Sequence, residues 1–442
     1  MEVVIRSISG WRDVAASARE SILRSRAAPG ARKSAHRFAE QMRACLEGRG
    51  GEVAARARAA SLGKQYLALD DDGREQFFKT LATFDVDASL VEAALAALRG
   101  AASDDERFAS AAELRSALRA PWVRLLTQFN SIPGGVKFLV DMRADLLKIL
   151  ERDPVFRRID ADLCEILRTW FDIGFLELRE ITWDAPAAFL ERLAQYEAVH
   201  EVRNWLDLKY RLGGDRRCFA FLHPAMPDEP LIFVEVALTN QLSGDISTLL
   251  DRRVRKLEGD PTVAIFYSIS NCQRGLRGIS FGNALIKRVA DRLASQFRSL
   301  RTFATLSPVP GFMTWLQQHL GEDPEGIAAA LSRRGWHKED ESSDSLRVPL
   351  MRLCAHYLAK AKRGDGKFAR DPVAHFHLSN GARLERINWL ADTSQKGLRE
   401  SAGMMANYLY VLDQIDENHE AYMTEGKIAT GSTVRELLRP SR

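Results

Sequence analysis

The chain has 442 residues, 46% hydrophobic and 28% charged, with a formal net charge of +4. That length and composition can bury a sizeable core in two domains and exclude a wholly disordered chain. The small net charge argues against a dedicated nucleic-acid binder, no run of about eighteen apolar residues predicts a membrane span, and no secretory apolar segment opens the chain.

Residues 1–184 read as helices. "EVAARARAASLGKQYLAL" and "SLVEAALAALRG" are rich in Ala, Leu, Arg and Glu. In "GGVKFLVDMRADLLKILERDP", Phe138, Leu139, Met142, Leu146 and Leu150 recur at three- and four-residue steps and make one apolar face. Pro133 and Pro154 bracket that helix, where proline does least harm. Arg and Lys on these helices are expected on solvated faces, and the segment is expected to pack as a bundle that serves oligomerisation.

Near residue 184 the grammar changes, and residues 185–442 form the second expected domain. "DAPAAFLERLAQYEAV" predicts a helix capped by Asp184. Four β-branched and aromatic runs follow, at 216–222, 230–239, 262–270 and 301–307, and predict strands. "GDISTLLDRRVRKL" and "GNALIKRVADRLASQF" predict helices between them. The alternation argues for an α+β fold with a mixed sheet. Cys45, Cys164, Cys218, Cys272 and Cys354 lack metal-ligand spacing, so no metal is expected, and their sparse scatter fits a reducing, cytoplasmic compartment.

"SISNCQRGLRGISFGNALIKRV" (268–289) reads as strand, glycine-rich turn, helix. Gly275, Gly278 and Gly282 allow close backbone approach. A turn feeding a helix leaves N–H groups aimed outward, where phosphates bind, and Arg274, Arg277 and Lys287 add charge. Neither a nucleotide P-loop nor a GxGxxG fingerprint is present. The ordinary strand–helix connection is the bland reading. The functional one is a cradle for the pyrophosphate of coenzyme A, because the arrangement resembles that of the acetyltransferase-like acyl-CoA fold.

"ATLSPVPGF" (304–312) ends a strand at Ser307 and pins the chain behind it with Pro308, Pro310 and Gly311. No nucleophile elbow surrounds Ser307, so a hydrogen-bonding hydroxyl is the milder reading. In "DPVAHFHLSNGARLERINWLAD" (371–392), His375 and His377 alternate with Phe376 and Leu378 as in a strand, which would point both to one face. A histidine facing a cleft can transfer protons near neutral pH. Asn380 and Tyr408 are further candidates to orient an imidazole or a ligand.

"TFATLSPVPGFMTWL", "RVPLMRLCAHYL", "DPVAHFHLSNGARLERINWLAD", "GLRESAGMMANYLYVL" and "EAVHEVRNWLDLKYRL" together resemble the malonyl-CoA decarboxylase family over about residues 180–412. The resemblance implies an all-helical N-terminal domain, an acetyltransferase-like mixed-sheet catalytic domain, and a homo-oligomer, dimer or tetramer. It implies a catalytic serine at Ser307, a catalytic histidine at His377, and a coenzyme A wrap formed by Arg277, Gly278, Ile279, Ser280, Phe281, Gly282 and Asn283. The implied reaction takes malonyl-CoA to acetyl-CoA and carbon dioxide through a thioester enolate protonated by His377. No metal, biotin or pyridoxal cofactor is expected, since the thioester is its own electron sink. An acyl-CoA-dependent acetyltransferase on the same fold is the alternative, and a non-catalytic acyl-CoA-binding scaffold is the second.

Overall fold

A computed structural model describes residues 29–47, 51–130, 132–251, 259–279, 284–319, 326–333, 335–338 and 340–439. The chain divides into two compact units. The first comprises Met1–Phe175 with Pro224–Met226 and Gln273–Ser280; the second comprises Leu176–His223, Pro227–Cys272 and Phe281–Arg442.

The first unit is helical. Its described helices are α1 (Pro29–Leu46), α2 (Gly51–Leu67), α3 (Asp71–Leu81), α4 (Ala88–Gly100), α5 (Asp104–Ala117), α6 (Pro121–Phe129), α7 (Gly135–Ile149) and α8 (Pro154–Trp170). Starts follow local chemistry. Asp70 and Asp87 cap α3 and α4, Ser103 and Glu106 form a reciprocal capping box on α5, and Pro121 and Pro154 stand at first helical positions. The predicted stripe of α7 is buried through Phe138, Leu139, Met142 and Leu146, while Leu150 is half-buried. It meets an edge-to-face aromatic core in which Tyr66 and Phe77 lie 4.9 Å apart at 69°. Arg143 departs from the expected solvated face. It lies on α7 but is only 3% exposed, because Asp160 and two backbone carbonyls satisfy it.

Among the described residues the second unit is built on one mixed sheet of eight strands: β1 (Glu177–Ile181), β2 (Arg216–Leu222), β3 (Ile232–Thr239), β4 (Val263–Asn271), β5 (Thr302–Thr305), β6 (Ser307–Pro308), β7 (Arg383–Asn388) and β8 (Met405–Tyr410). The path runs β1-β2-β3-β4-β5-β8-β6, with β7 beside β8. All pairings are antiparallel except β4 with β5. The α+β expectation is met. The strands expected at 216–222, 230–239 and 262–270 appear as β2, β3 and β4, and the last run divides into β5 and β6.

Three expectations are corrected. β1 lies inside the stretch read as helical. It is an edge strand whose charged, half-exposed side chains hide its period. Helix α9 (Ala187–Tyr196) is preceded by Pro186, so Asp184 sits in the turn before it and is not its cap. Of "GDISTLLDRRVRKL", residues 244–251 are described and only Ile246–Leu249 among them is helical, as α10, while 252–258 lie outside the described residues. Helix α11 (Ala284–Gln296) matches its prediction and carries the chain from the turn after β4 toward β5.

Candidate active site

Ser307 stands where two parallel strands part. β4 and β5 keep register from Val263↔Thr302 to Phe266↔Thr305, and Leu306 donates once more to the Phe266 carbonyl. β4 then runs on to Asn271, while the segment after β5 leaves β4, stays beside β8 and pairs Ser307 with Ala406. Pro308 offers no N–H, so pairing ends there. Gly311 closes the turn by close approach: a Cβ there would sit 2.2 Å from the Tyr357 hydroxyl. Ser307 itself is buried, 6% exposed.

His377 reaches the same place from a helix, which corrects the strand expected at 375–378. Pro372–Ser379 is α12, with Pro372 at its first position and Asp371 as cap. The Asp371 carboxylate accepts the Val373 and Ala374 N–H groups, each at 2.9 Å. This Asp-Pro start outweighs the apolar alternation that suggested a strand. In a helix, residues two apart point in nearly opposite directions. His375 accordingly bonds the Tyr422 hydroxyl at 2.8 Å, and His377 alone faces Ser307.

The His377 ring is 3% exposed. Its Nε2 lies 2.9 Å from Ser307 Oγ, and its Nδ1 lies 2.8 Å from the Tyr410 hydroxyl. Tyr408 stacks on the ring at 4.6 Å and 26°. Burial pushes the imidazole down to about 3, so it is neutral at ordinary pH, and burial pushes the Tyr410 phenol well up. Ser307 Oγ donates to Thr305 Oγ1 at 2.8 Å, and that same oxygen accepts the Tyr408 N–H at 3.2 Å. Asn380, by contrast, ends α12, with its Nδ2 donating to the Phe376 carbonyl at 2.6 Å.

These bonds determine where the ring proton sits. The single Ser307 proton goes to Thr305, so Ser307 Oγ can only accept from His377. Nε2 therefore carries the hydrogen, and Nδ1 accepts from Tyr410. A serine nucleophile needs the reverse, with Nε2 taking the serine proton and Nδ1–H held by a carboxylate. This network is arranged to give a proton, not to activate an alcohol. Tyr410 and Thr305 were not singled out in the sequence. The Tyr408/Tyr410 alternation in "NYLY" would place both phenols on one strand face, but nothing local ties them to Ser307.

The turn after β4 packs with the helical unit. It contains a 3-10 turn, Arg274–Leu276, followed by exposed Arg277, exposed Gly278 at φ +81°, and buried Ile279. Arg143 Nη1 donates to the Gly275 and Arg277 carbonyls at 2.7 and 2.8 Å. Of the remaining residues expected to wrap a coenzyme, Ser280, Phe281, Gly282 and Asn283 lie outside the described residues. Among the described residues, no group of three or more His, Cys, Asp or Glu is placed to hold a metal ion.

A family model described as malonyl-CoA decarboxylase C-terminal domain matches residues 174–442, and one described as malonyl-CoA decarboxylase N-terminal domain matches residues 84–171. The chain is 40% identical over 334 residues to the mitochondrial malonyl-CoA decarboxylase of Anser anser anser, covering 68% of this chain and 66% of that protein. It is 38% identical over 359 residues to the Rattus norvegicus mitochondrial enzyme, covering 74% and 72%. The crystal structure of malonyl-CoA decarboxylase from Rhodopseudomonas palustris superposes with a TM-score of 0.83 at 40% identity, covering 91% of this chain and 99% of that one. The Agrobacterium vitis enzyme gives 0.85 at 38%, covering 91% and 100%.

Proposed function

The chain belongs to the malonyl-CoA decarboxylase family, and from that premise we propose that it converts malonyl-CoA to acetyl-CoA and carbon dioxide at the Ser307–His377 pair. The observation that carries the chemistry is the one-way chain of hydrogen bonds from Tyr410 through His377 and Ser307 to Thr305.

Cleavage of the bond to the carboxylate releases carbon dioxide and leaves its electron pair on the thioester as an enolate. That charge gathers on the thioester oxygen and is lowered in energy by donors aimed at it. The α-carbon then needs one proton. A thioester enolate is basic enough to take it from a neutral imidazole, and the Tyr410 hydroxyl at Nδ1 is a hydrogen-bond donor to the ring nitrogen that gains negative charge as Nε2 loses its proton. His377 supplies the proton from Nε2. Ser307 passes a proton on by accepting the Nε2 proton while its own leaves Thr305 for the α-carbon, one O–H bond broken for one formed, and this use of the hydroxyl involves no attack on a carbonyl. Tyr410 stands behind Nδ1 to steady the ring as charge moves. No metal or organic cofactor is called for, because the substrate's thioester holds the electrons. Arg277 to Asn283 form the grip on coenzyme A.

The helical unit is read as the oligomerisation element of a dimer or tetramer. Leu90, Phe108 and Leu118 are large apolar residues left 60%, 80% and 44% exposed on and beside its helices. No helix among the described residues is long and apolar enough to cross a membrane. All five cysteines are free thiols, which fits a reducing setting, and the cytoplasm is the compartment inferred. The place in metabolism is fatty-acid turnover, where malonyl and acetyl thioesters interchange.

The test is incubation with malonyl-CoA alone in heavy water. Acetyl-CoA carrying one solvent deuterium on its methyl carbon is expected without any acceptor. An absolute need for an amine or alcohol acceptor would establish the acetyltransferase alternative. His377→Asn should keep substrate affinity and lower kcat by roughly a hundredfold or more. Near-normal turnover in that folded variant removes His377 from the reaction.

A further inference from the structure

We propose that Arg143, on α7, is a positioning residue for substrate: it holds the turn after β4 so that the Gly278 N–H faces outward to receive a phosphate oxygen of the coenzyme A tail. The proposal rests on the reading of that turn as the coenzyme A grip.

An arginine buried to 3% exposure costs desolvation free energy that an apolar residue of similar volume would not. Here every bond it makes is directional. Nε and Nη2 engage the two carboxylate oxygens of Asp160 on α8, at 2.8 and 3.4 Å. Nη1 spans the Gly275 and Arg277 carbonyls. The turn is seated so closely on α7 that a Cβ on Gly275 would come 1.8 Å from the Val140 carbonyl oxygen. That residue must be glycine for the contact to exist.

The consequence follows from peptide geometry. In a trans peptide the C=O and the next N–H point in opposite directions, and no cis bond is present among the described residues. Drawing the Arg277 carbonyl toward Arg143 therefore turns the Gly278 N–H away from the helix. The neighbouring donors are committed: Leu276, Arg277 and Ile279 give theirs to the Gln273, Arg274 and Leu276 carbonyls. Among the described residues the Gly278 N–H has no partner. It is exposed, and the side chains of Arg274 and Arg277, four and one residues before it on the same turn, are exposed as well. An outward N–H on a turn that carries two exposed arginines is a receiver for an anionic oxygen.

Kinetics on two substrates test this, malonyl-CoA and malonyl-pantetheine, which keeps the reacting thioester but lacks the nucleotide. Arg143→Met is expected to raise KM for malonyl-CoA roughly tenfold with kcat held within about twofold. Its kcat/KM on malonyl-pantetheine should match the unaltered protein, and Arg143→Lys should restore part of the KM. Should Arg143→Met not fold, Asp160→Asn, which removes the counter-charge at nearly constant shape, must give the same split. Equal losses on both substrates would mean that Arg143 serves only folding, and the proposal falls. Arg277→Ala separates the two levels. If it raises KM and Arg143→Met does not, the grip stands and the Arg143 role is overturned. If Arg277→Ala leaves KM unchanged, the reading of the turn itself fails and takes this proposal with it.

Discussion

Thr305 decides the polarity of the whole hydrogen-bond chain. Its oxygen accepts the Ser307 proton and the Tyr408 N–H, so the serine has no proton left for the imidazole. Thr305→Val keeps the shape and removes the acceptor. Ser307 is then free to turn its proton toward His377, which competes with the Nε2–H tautomer. We expect kcat for malonyl-CoA to fall roughly tenfold to a hundredfold with KM little changed, and Thr305→Ser to restore most of it. Steady-state kinetics on the three proteins decide this. A valine variant with full kcat would show that the serine proton is not steered by Thr305.

At the scale of elements, the site depends on an eight-residue helix too short to persist alone. α12 is held by its ends. Asp371 is fully buried and caps two N–H groups. Its carboxylate also accepts from the Tyr357 hydroxyl at 3.2 Å and from the Gly311 backbone, so it ties the histidine helix to the turn that follows Ser307. At the other end Gly381 takes φ +77°, where a Cβ would come 2.1 Å from the Ile415 carbonyl oxygen. Asp371→Ala strands several buried donors at once. We expect a loss of about 2–4 kcal/mol in urea unfolding together with lost turnover, and a smaller loss for Asp371→Asn, which keeps the capping oxygen. Equal urea midpoints for Asp371→Ala and the unaltered protein would refute this anchoring role.

For the molecule as a whole, buried His377 and half-buried His200 contribute to the response to acid. Burial pushes His377 down to about 3. Burial also pushes His200 down to about 4, opposed by Asp392 and assisted by Arg211 and Lys396. Unfolding releases both rings to their ordinary value near 6.5. At these two sites the unfolded chain then binds more protons than the folded one, so the stability the rings contribute is complete above about pH 6.5 and is lost as pH falls toward 4 and then 3. Each ring contributes a slope of at most about 1.4 kcal/mol per pH unit. Urea midpoints measured from pH 7.5 to 5 should fall, and His377→Asn should flatten that fall. Glu235, pushed up to about 8 by burial, acts in the opposite direction over the same range, so the decisive reading is the difference between the two proteins: an identical pH dependence for His377→Asn would contradict the role of the His377 ring.

The sequence by itself determined the elements whose signals are local. Periodic apolar stripes defined α7, β-branched runs defined β2 to β4, and the idiosyncratic stretches around Ser307 and His377 pointed to the family and to those two residues. Local signals also misled where two of them competed: alternation at 375–378 suggested a strand, although the Asp371-Pro372 start dictates a helix. Tertiary structure decided everything that depends on register between distant segments. Phe303↔Tyr410 pairing brings a phenol behind His377, and the parting of β4 from β5 places Ser307 in front of it. Burial of Arg143 was equally invisible, because a guanidinium on an amphipathic helix reads as solvated until the chain brings Asp160 and two carbonyls to meet it. The division has one physical cause: propensity and capping act within a few residues, whereas hydrogen-bond direction and desolvation are settled only by what folding places across the chain.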